Sequence, residues 1–487
     1  MRFLHVAASD LCCRWPRPGS VIIRFLASKS LSPMPFGVPG LKKTFASMAV
    51  LIAFSVAIVC CGGKKSASTQ HKVSGLRFRA FVSNPLFPSG VTNLPVINIV
   101  DALQDIVSPA TISLLGTSTQ PGMMVVTSNL SQTMVFSPAG NTITVIDNHA
   151  EAIATVTGGT TSVPGITLPG FTESMFIAND NVTAYAAVPS APVAGQSPGA
   201  VIAMDLGAGT ITATIPVPSA HFIVGSPDGN HILVFSDNSD NVTVIATALI
   251  GTATDPRQPV GGIGGFHRPV WAIFTDNSTA YIFNCGLECG GTAANDMTAG
   301  LSTFSIGSSA PSAISPLSAA SYGLLVGSTL YVAGTPPHTP CGPGTAATTC
   351  GTLNIVDAAT LQPTRSPLLI TDGYHDRMAM GANGQLFIGA HGCTSINILG
   401  GEVRGCLSIF NSNNSSVVIP PQIGDATGIQ PITGRDVVYV CQGGAFQIYS
   451  TTTDQTFIPP AANPTRGIVS TIVGQSYDVK LVDPPAD

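Results

Sequence analysis

The sequence predicts an all-β protein built from one repeated unit of about four strands. Three segments each read as an apolar run, an Asp/Asn/Gly turn and a second apolar run, and they place Asp180, Asp228 and Asp276 48 residues apart. Only 9% of the residues are charged, which suits short strands and tight turns better than long solvated helices. Repetition of a hairpin at this period is typical of stacked sheets such as propeller blades.

The number of units follows from the apolar runs after each turn. Eight such runs start 48 to 57 residues apart, near Arg79, Thr133, Thr183, His231, Thr279, Thr329, Leu386 and Asp436. A second strand follows each run, a weaker one usually comes next, and the run before the turn completes four strands. We therefore expect a single β-propeller of about eight four-stranded blades, with seven as the alternative if one weak unit is an insertion.

The two ends of the repeat predict how the ring closes. The first unit lacks an inner strand before Arg79, and a spare apolar stretch, 467–482, remains after the last unit. Propellers close by letting one terminus complete the blade of the other, which removes exposed sheet edges. We expect the C-terminal segment to pair with the first blade.

Two short motifs carry a resemblance to a known family. Ser226-Pro-Asp-Gly229 forms a turn before an apolar strand, and the strand at 143–147 ends in Asp147. Both resemble the YVTN β-propeller repeats, whose blades carry an S-P-D-G turn and a strand ending in Asp. The resemblance covers roughly residues 75–483. It implies the propeller fold and says almost nothing about activity.

The front of the chain reads as an export signal. Residues 45–59 are apolar, Lys42 and Lys43 precede them, and Cys60-Cys61-Gly-Gly follows. This run is shorter than the ~20 residues that span a bilayer and fits a secretory signal. Its ending resembles the lipobox of bacterial lipoproteins, in which the cysteine after the apolar run is diacylated and becomes the first mature residue. The resemblance implies lipidation at Cys61, with Cys60 as the alternative; an uncleaved anchor stays open.

These signals divide the chain into four parts. We interpret residues 1–33 as an over-extended gene start without a fold, 34–60 as the lipoprotein signal peptide, 61–74 as a flexible tether and 75–487 as the propeller domain. The predicted location is the bacterial cell envelope, on the periplasmic or surface side, with membrane attachment through the lipid.

The distribution of charge excludes one class of partner. Twelve of the 20 Lys and Arg lie at or before Arg79, whereas 24 of the 25 Asp and Glu lie at or after Asp101. From residue 80 onward 24 acidic side chains face 8 basic ones, so this part repels phosphate backbones. We expect no nucleic-acid partner.

Six cysteines form three close pairs in the last part of the repeat. Each pair falls between the second and third strand of its unit, in the fifth, sixth and seventh blades: Cys285/Cys289, Cys341/Cys350 and Cys393/Cys406. An exported protein meets oxidising conditions, so we expect three local disulfides on one rim. A zinc site using Cys285 and Cys289 with His338 or His391 is the alternative. Cys441 lies in an apolar strand and is expected to be a buried thiol.

The most concentrated polar residues lie where the chain enters inner strands, on the rim that carries the cysteine loops. As candidates for binding at the channel mouth they are His221, His267, Arg268, His375, Asp376 and Arg377. Such groups could bind an anion or a metal. The alternative is that each of them bonds loop carbonyls between blades. No nucleophile, general base or metal cluster has recognisable spacing, so we expect no catalytic residue, no metal and no other cofactor.

Two functions of different classes fit this sequence. The leading hypothesis is a lipid-anchored binding or scaffold protein of the envelope that contacts a protein or glycan through the disulfide-strapped rim. The alternative is an envelope enzyme, a hydrolase, lyase or quinone-type oxidoreductase, with its site at the channel mouth. Convergence of the candidate rim residues on one pocket would favour the enzyme, and dispersal would favour binding.

Overall fold

A computed structural model of the chain describes residues 73–484, apart from 90–91, 117–119, 251–259, 292–297, 338, 342–348, 395, 398–402 and 457–471. The predicted signal peptide, both candidate lipidation cysteines and all but the last two residues of the predicted tether lie outside the described residues. None of the helices in the described part is long and apolar enough to cross a bilayer.

Antiparallel sheets form eight blades, as the repeat predicts. Blades one to four contain, in chain order, β1 (Arg79–Ser89), β2 (Thr92–Asp101) and β3 (Ile106–Ser113); β4 (Met124–Val126), β5 (Gln132–Ser137), β6 (Thr142–Asp147), β7 (Ala152–Ile153) and β8 (Ile166–Thr167); β9 (Ser174–Ile177), β10 (Thr183–Val188), β11 (Ala200–Asp205) and β12 (Thr210–Pro216); β13 (Ala220–Gly225), β14 (His231–Ser236), β15 (Val242–Ala246) and β16 (Val260–Ile263).

Blades five to eight follow the same plan, with one inserted hairpin, β28–β29, in blade seven. Their strands are β17 (Pro269–Phe274), β18 (Thr279–Asn284), β19 (Gly300–Ser305) and β20 (Ser315–Pro316); β21 (Tyr322–Val326), β22 (Thr329–Gly334), β23 (Gly351–Asp357), β24 (Gln362–Pro363) and β25 (Leu368–Ile370); β26 (Tyr374–Met380), β27 (Gln385–His391), β28 (Ile396–Asn397), β29 (Val403–Arg404), β30 (Leu407–Asn411) and β31 (Ser416–Val418); β32 (Ala426–Pro431), β33 (Val437–Gln442) and β34 (Ala445–Ser450). Two short 3₁₀ helices, Thr247–Leu249 and Gly286–Cys289, lie in loops. The last strand is β35 (Val479–Leu481).

The repeated aspartates close the turns between the first two strands of their blades. The Asp180 carboxylate accepts the backbone N–H groups of Val182 and Thr183, and Asp276 accepts those of Ser278 and Thr279 in the same way. A side chain that bonds the backbone two and three residues on fixes the turn. The 48-residue spacing is therefore a repeat of one turn at one end of successive blades.

The hydrophobic core lies between blades rather than in one central cluster. Among the described residues, each of the eight interfaces between neighbouring blades has its own group of buried apolar side chains. At the interface of blades two and three, for example, Met134 and Ile143 pack with Ala186 and Ile202. Eight interfaces for eight blades mean that the ring is closed.

Closure uses the C-terminal strand, as the sequence predicts. β35 pairs with β1 in antiparallel register, with Phe81 opposite Lys480 and Val82 opposite Val479. The fully buried Arg79 donates to Asp483 from Nε at 2.8 Å and to Glu151 of blade two from Nη1 at 2.7 Å. One guanidinium thus joins the two ends of the domain to the second blade.

The three predicted disulfides are present on one rim. The structure bonds Cys285 to Cys289, Cys341 to Cys350 and Cys393 to Cys406, each between the second and third long strand of its blade. Since Cys285 and Cys289 are oxidised, their thiolates are not available to the alternative zinc site, and His338 lies outside the described residues. Cys441 is a buried free thiol.

Candidate functional site

The inner strands of the ring surround a cavity of about 370 Å³ at the centre of the propeller. Blades three to seven each contribute at least two residues to its wall, and Met123 closes the side of blade two. Two further cavities, of about 390 and 270 Å³, continue from it on the rim that carries the disulfides. All three share Phe222 and Tyr374, so they form one connected region, called here the channel mouth.

Aromatic rings from four consecutive blades line the central cavity. Trp271 lies 4.9 Å from Tyr322, Phe222 lies edge-on to Trp271 at 6.5 Å, and Tyr374 stacks on Phe222 at 6.1 Å, all between ring centroids. Separations of 4.5–7 Å are those at which aromatic pairs attract each other. This group, the aromatic wall, is half-buried except for Phe222, which is 9% exposed.

A β-bulge recurs in the inner strands next to the cavity. The register shifts between Ala220 and Phe222 in β13 and between His375 and Arg377 in β26, and similar shifts occur in β17 and β32. The extra residue in a bulge interrupts the alternation of side chains and re-aims them. Asp376 is the extra residue of β26, and both it and Arg377 consequently face the cavity.

Asp376 and Arg377 form the charged side of the cavity. The Asp376 carboxylate lies 3.0 Å from His391 Nε2 and 3.6 Å from Arg377 Nη2. Burial opposes its ionisation, but the charges of Arg377 and His391 outweigh burial and lower the pKa of Asp376. Within the described part of the chain, the buried Asp376 Oδ1 and Arg377 Nε atoms have no hydrogen-bond partner.

Gly373 sets the position of this strand at the rim. Its φ is +102°, a conformation that side-chain-bearing residues rarely adopt, and a Cβ atom there would lie 2.5 Å from the His391 carbonyl oxygen. The chain therefore turns sharply before Tyr374, which brings Tyr374 over Phe222.

His221 joins blades three and four at the mouth. Its Nε2 lies 2.8 Å from Glu173, and its Nδ1 lies 2.6 Å from Asp237. Burial alone would lower the pKa of His221, but the hydrogen bonds to Glu173 and Asp237 raise it above its ordinary value. The hydrogen bond to His221 in turn lowers the pKa of Glu173. The two carboxylates thus favour the protonated form of the imidazole.

A side pocket of about 270 Å³ lies beside this clamp. It is lined by His221, Asp237, Arg268 and Glu288, together with Cys289 of the first disulfide. Burial raises the pKa of Glu288 to about 7, although the Thr335 amide donates to its Oε1 at 2.8 Å. Glu288 lies in the 3₁₀ helix that the disulfide spans. The Cys285–Cys289 disulfide therefore spans the short helix that carries this carboxyl group, whose pKa lies near neutrality.

The structure divides the six candidate rim residues. Asp376 and Arg377 line the central cavity, while His221 and Arg268 line the side pocket, where Arg268 Nε lies 3.7 Å from Asp240. His267 and His375 line none of the three cavities.

The other two candidates, His267 and His375, bond loop carbonyls. This is the alternative interpretation given above for all six candidate rim residues. His267 Nδ1 lies 3.2 Å from the Thr298 carbonyl oxygen, and the buried His375 Nε2 lies 3.0 Å from that of Thr371. Burial lowers the pKa of His375 to about 4, so it is neutral near pH 7.

Sequence reasoning missed several residues of the mouth, among them Glu173, Phe222 and Tyr374, and assigned His391 only to the zinc alternative. Glu173 had a usable signal, since it precedes an inner strand as the selected clusters do. Phe222 and Tyr374 resemble ordinary core aromatics in the sequence. Only the bulge and the turn at Gly373 show that they face the channel.

Comparisons with known proteins bear on the fold. The dihydro-heme d1 dehydrogenase NirN, in complex with DHE, superposes with a TM-score of 0.56 at 10% identity, over 85% of this chain and 76% of that chain. The Dos1 propeller superposes with a TM-score of 0.47 at 10% identity, over 70% and 83% of the two chains. Hydrazine synthase of Kuenenia stuttgartiensis gives 0.41 at 14% identity, over 74% and 92%. No family model matches the chain, and no curated protein matches it.

The eight blades themselves show the β-propeller fold, and the likeness to NirN concerns the fold alone. At such low identity it shows nothing about activity, because the same fold hosts unrelated functions.

Proposed function

We propose that this chain is an exported binding protein of the bacterial cell envelope, built as a YVTN-type propeller and lipid-anchored through Cys61, with Cys60 as the alternative. It binds an envelope component at the channel mouth. The observation that carries the proposal is the central cavity, which is lined by the aromatic wall and by the charged pair Asp376 and Arg377. Concave, largely apolar sites with a few converging polar groups are the usual form of binding sites.

Two features support export and an envelope location, and a third bears on the partner. The three disulfides fit a protein that folds in an oxidising compartment. The lipobox-like ending of the apolar run at residues 45–59 supports a lipid anchor. The excess of acidic residues after residue 80 disfavours nucleic acid and directs the search to proteins and glycans.

An enzyme remains the second candidate because of one specific observation. The side pocket brings Glu288, with its pKa of about 7, next to the His221 clamp. A carboxyl group that titrates near the working pH is suited to proton transfer. Binding is favoured, since both nitrogens of the clamp histidine, His221, are already engaged by the carboxylates of Glu173 and Asp237.

Co-sedimentation with washed envelope fractions tests the proposal. The test uses the full chain with both Cys60 and Cys61 changed to Ser, so that no lipid anchor contributes to sedimentation. We expect this protein to sediment with the envelope fraction, and the additional change Arg377→Met to reduce the bound fraction about tenfold, as loss of a charged contact implies. Asp228→Asn in a turn on the opposite rim is the matched control and should leave binding unchanged. Binding that is insensitive to Arg377→Met would place the contact elsewhere.

A further inference from the structure

The aromatic wall sets the first requirement for a ligand. Rings of Phe222, Trp271, Tyr322 and Tyr374 come from four neighbouring blades and stay in contact with one another. They form a contiguous aromatic cluster in the wall of a cavity of about 370 Å³. A ligand that fills this space presents an apolar face of its own.

The charged pair on blade seven sets the second requirement. Asp376 Oδ1, an acceptor, and Arg377 Nε, a donor, belong to adjacent residues, are buried and have no hydrogen-bond partner in the described part of the chain. Leaving such groups unsatisfied is costly, so the complementary ligand offers a donor and an acceptor close together. A hydroxyl group is both, and neighbouring hydroxyls on a ring satisfy the two atoms at once.

Charge sets the third requirement. The carboxylates facing the cavity are Glu173 and Asp376. His221, which also contacts Asp237, lies against Glu173, and Arg377 and His391 lie against Asp376. Each of the two carboxylates therefore already has a basic partner and does not attract a cationic ligand, while the excess of acidic residues in the domain disfavours anionic ones.

We propose that the central cavity binds a neutral sugar residue of an envelope glycan. One face of the pyranose ring packs on the aromatic wall, and neighbouring hydroxyls hydrogen-bond to Asp376 and Arg377. The cavity of about 390 Å³ at the rim gives the rest of the glycan a way out past Phe171 and Tyr477. This inference rests on the proposed binding function and names its ligand class.

Trp271 gives a direct readout. The chain has two tryptophans, Trp15 and Trp271, so in the full chain with Trp15→Phe the fluorescence comes from the aromatic wall alone. Purified in a polyoxyethylene detergent that contains no sugar, this protein is titrated with maltotriose, cellotriose and N,N′,N″-triacetylchitotriose, and the same titrations are followed by calorimetry. We expect saturable binding of at least one of them with a dissociation constant of about a millimolar or lower.

Two variants locate the binding. Asp376→Asn weakens binding about tenfold, because a charged acceptor for a hydroxyl is lost. Asp228→Asn, the same chemical change in a turn on the opposite rim, leaves the dissociation constant unchanged. Near-ultraviolet circular dichroism of both variants checks that the ring is intact.

Several outcomes would overturn the inference. It fails if none of the three sugars binds, if Asp376→Asn binds as tightly as the parent protein, or if glucosamine or glucuronic acid oligomers bind more tightly than the neutral ones. If the sugars fail while sedimentation with envelope fractions still depends on Arg377, the ligand class is wrong and the proposed function stands. If both fail, the proposed function falls as well.

Discussion

His221 links blades three and four at the rim by contacting a carboxylate on each side. Its two nitrogens lie 2.8 Å from Glu173 and 2.6 Å from Asp237, and its side chain is 24% exposed. A partly exposed clamp of this kind adds little to the free energy of unfolding, about 1 kcal/mol or less. Its effect depends on pH.

The sign of that pH dependence follows from the pKa shifts. The pKa of His221 is raised in the folded state, so its contribution is complete below the ordinary value of 6.5 and is lost as pH rises through the raised value. The pKa of Glu173 is lowered, so its contribution is complete above 4.5 and is lost as pH falls through the lowered value. We expect the melting temperature of the parent protein to exceed that of His221→Gln most between these limits, and less at pH 9.

A matched control for this prediction is His267→Gln, because the His267 imidazole contacts a carbonyl oxygen rather than a carboxylate. This variant is the reference for loss of an imidazole that contacts no carboxylate, and its melting temperature is followed over the same pH range. A difference for His221→Gln that stays constant from pH 5 to 9 would show that the clamp is not charged.

Among single residues, Arg79 makes the buried ion pairs that we expect to affect the free energy of unfolding most. It is fully buried and pairs with Glu151 and Asp483. Arg79→Met leaves two buried carboxylates without their cation, so we expect the free energy of unfolding to fall by about 3–5 kcal/mol in denaturant titrations. The triple variant Arg79→Met, Glu151→Gln, Asp483→Asn removes those charges and should recover part of the loss. No recovery would mean that packing, not charge, is responsible.

Single residues were only partly predictable from the sequence. Asp376 and Arg377 were found because a polar cluster is conspicuous in a charge-poor chain. Their neighbour His375 was selected on the same ground, yet it is buried and bonds the Thr371 carbonyl. Which of three adjacent side chains faces the channel is decided by a bulge, and the bulge depends on pairing with β27, which the local sequence does not show.

Among the elements, β35 closes the ring through three paired residues opposite β1. Removing residues 467–487 takes this strand away, exposes the edge of β1 and deprives Arg79 of Asp483. We expect the truncated protein to be insoluble or to lose cooperative unfolding in thermal melts. Removing only residues 485–487 is the control and should leave the melt unchanged. A protein lacking 467–487 that melts like the parent would contradict closure by β35.

The disulfide straps are local elements of the rim. The loops they close are short, with sequence separations of 4, 9 and 13, so each contributes on the order of 2–3 kcal/mol at most in the chain-entropy model. We expect mild reductant to speed amide hydrogen exchange in the strapped loops, and at Gly290 directly after the first of them, before the ring unfolds. Cys441 forms no disulfide, and its thiol lies in the core between blades eight and one. Cys441→Ala is therefore the control and should respond to reductant as the parent protein does. Loss of the whole ring at the reductant concentration that first frees the loops would contradict this order.

Most strands were predictable because two signals coincide in each blade. Apolar alternation marks the strands, and an Asp, Asn or Gly turn marks the hairpin, so the predicted starts at Thr183, His231 and Thr279 are those of β10, β14 and β18. The hairpin β28–β29 was not predicted. Its strands are two residues long and lie inside a cysteine loop, where neither signal is strong.

The whole molecule is a ring held by eight separate interfaces, and this architecture creates the channel mouth. Inner strands of different blades bring residues that are far apart in the chain, such as Glu173 and Arg377, to one cavity. The sequence predicted the ring, its closure and the rim that carries the disulfides. It did not predict the aromatic wall, because that wall exists only where four blades meet.

The central claim is that the protein contacts the envelope through the channel mouth. Phe171 and Val182 lie just beyond opposite ends of the hairpin formed by β9 and β10 and are both 45% exposed, but only Phe171 lines the mouth. The most direct measurement places a photo-reactive residue at each position in turn and illuminates living cells of the source organism. We predict a discrete cross-linked envelope species from position 171 that is absent from position 182 and is lost when Arg377→Met is added. Equal cross-linking from both positions, or none from position 171, would contradict the account.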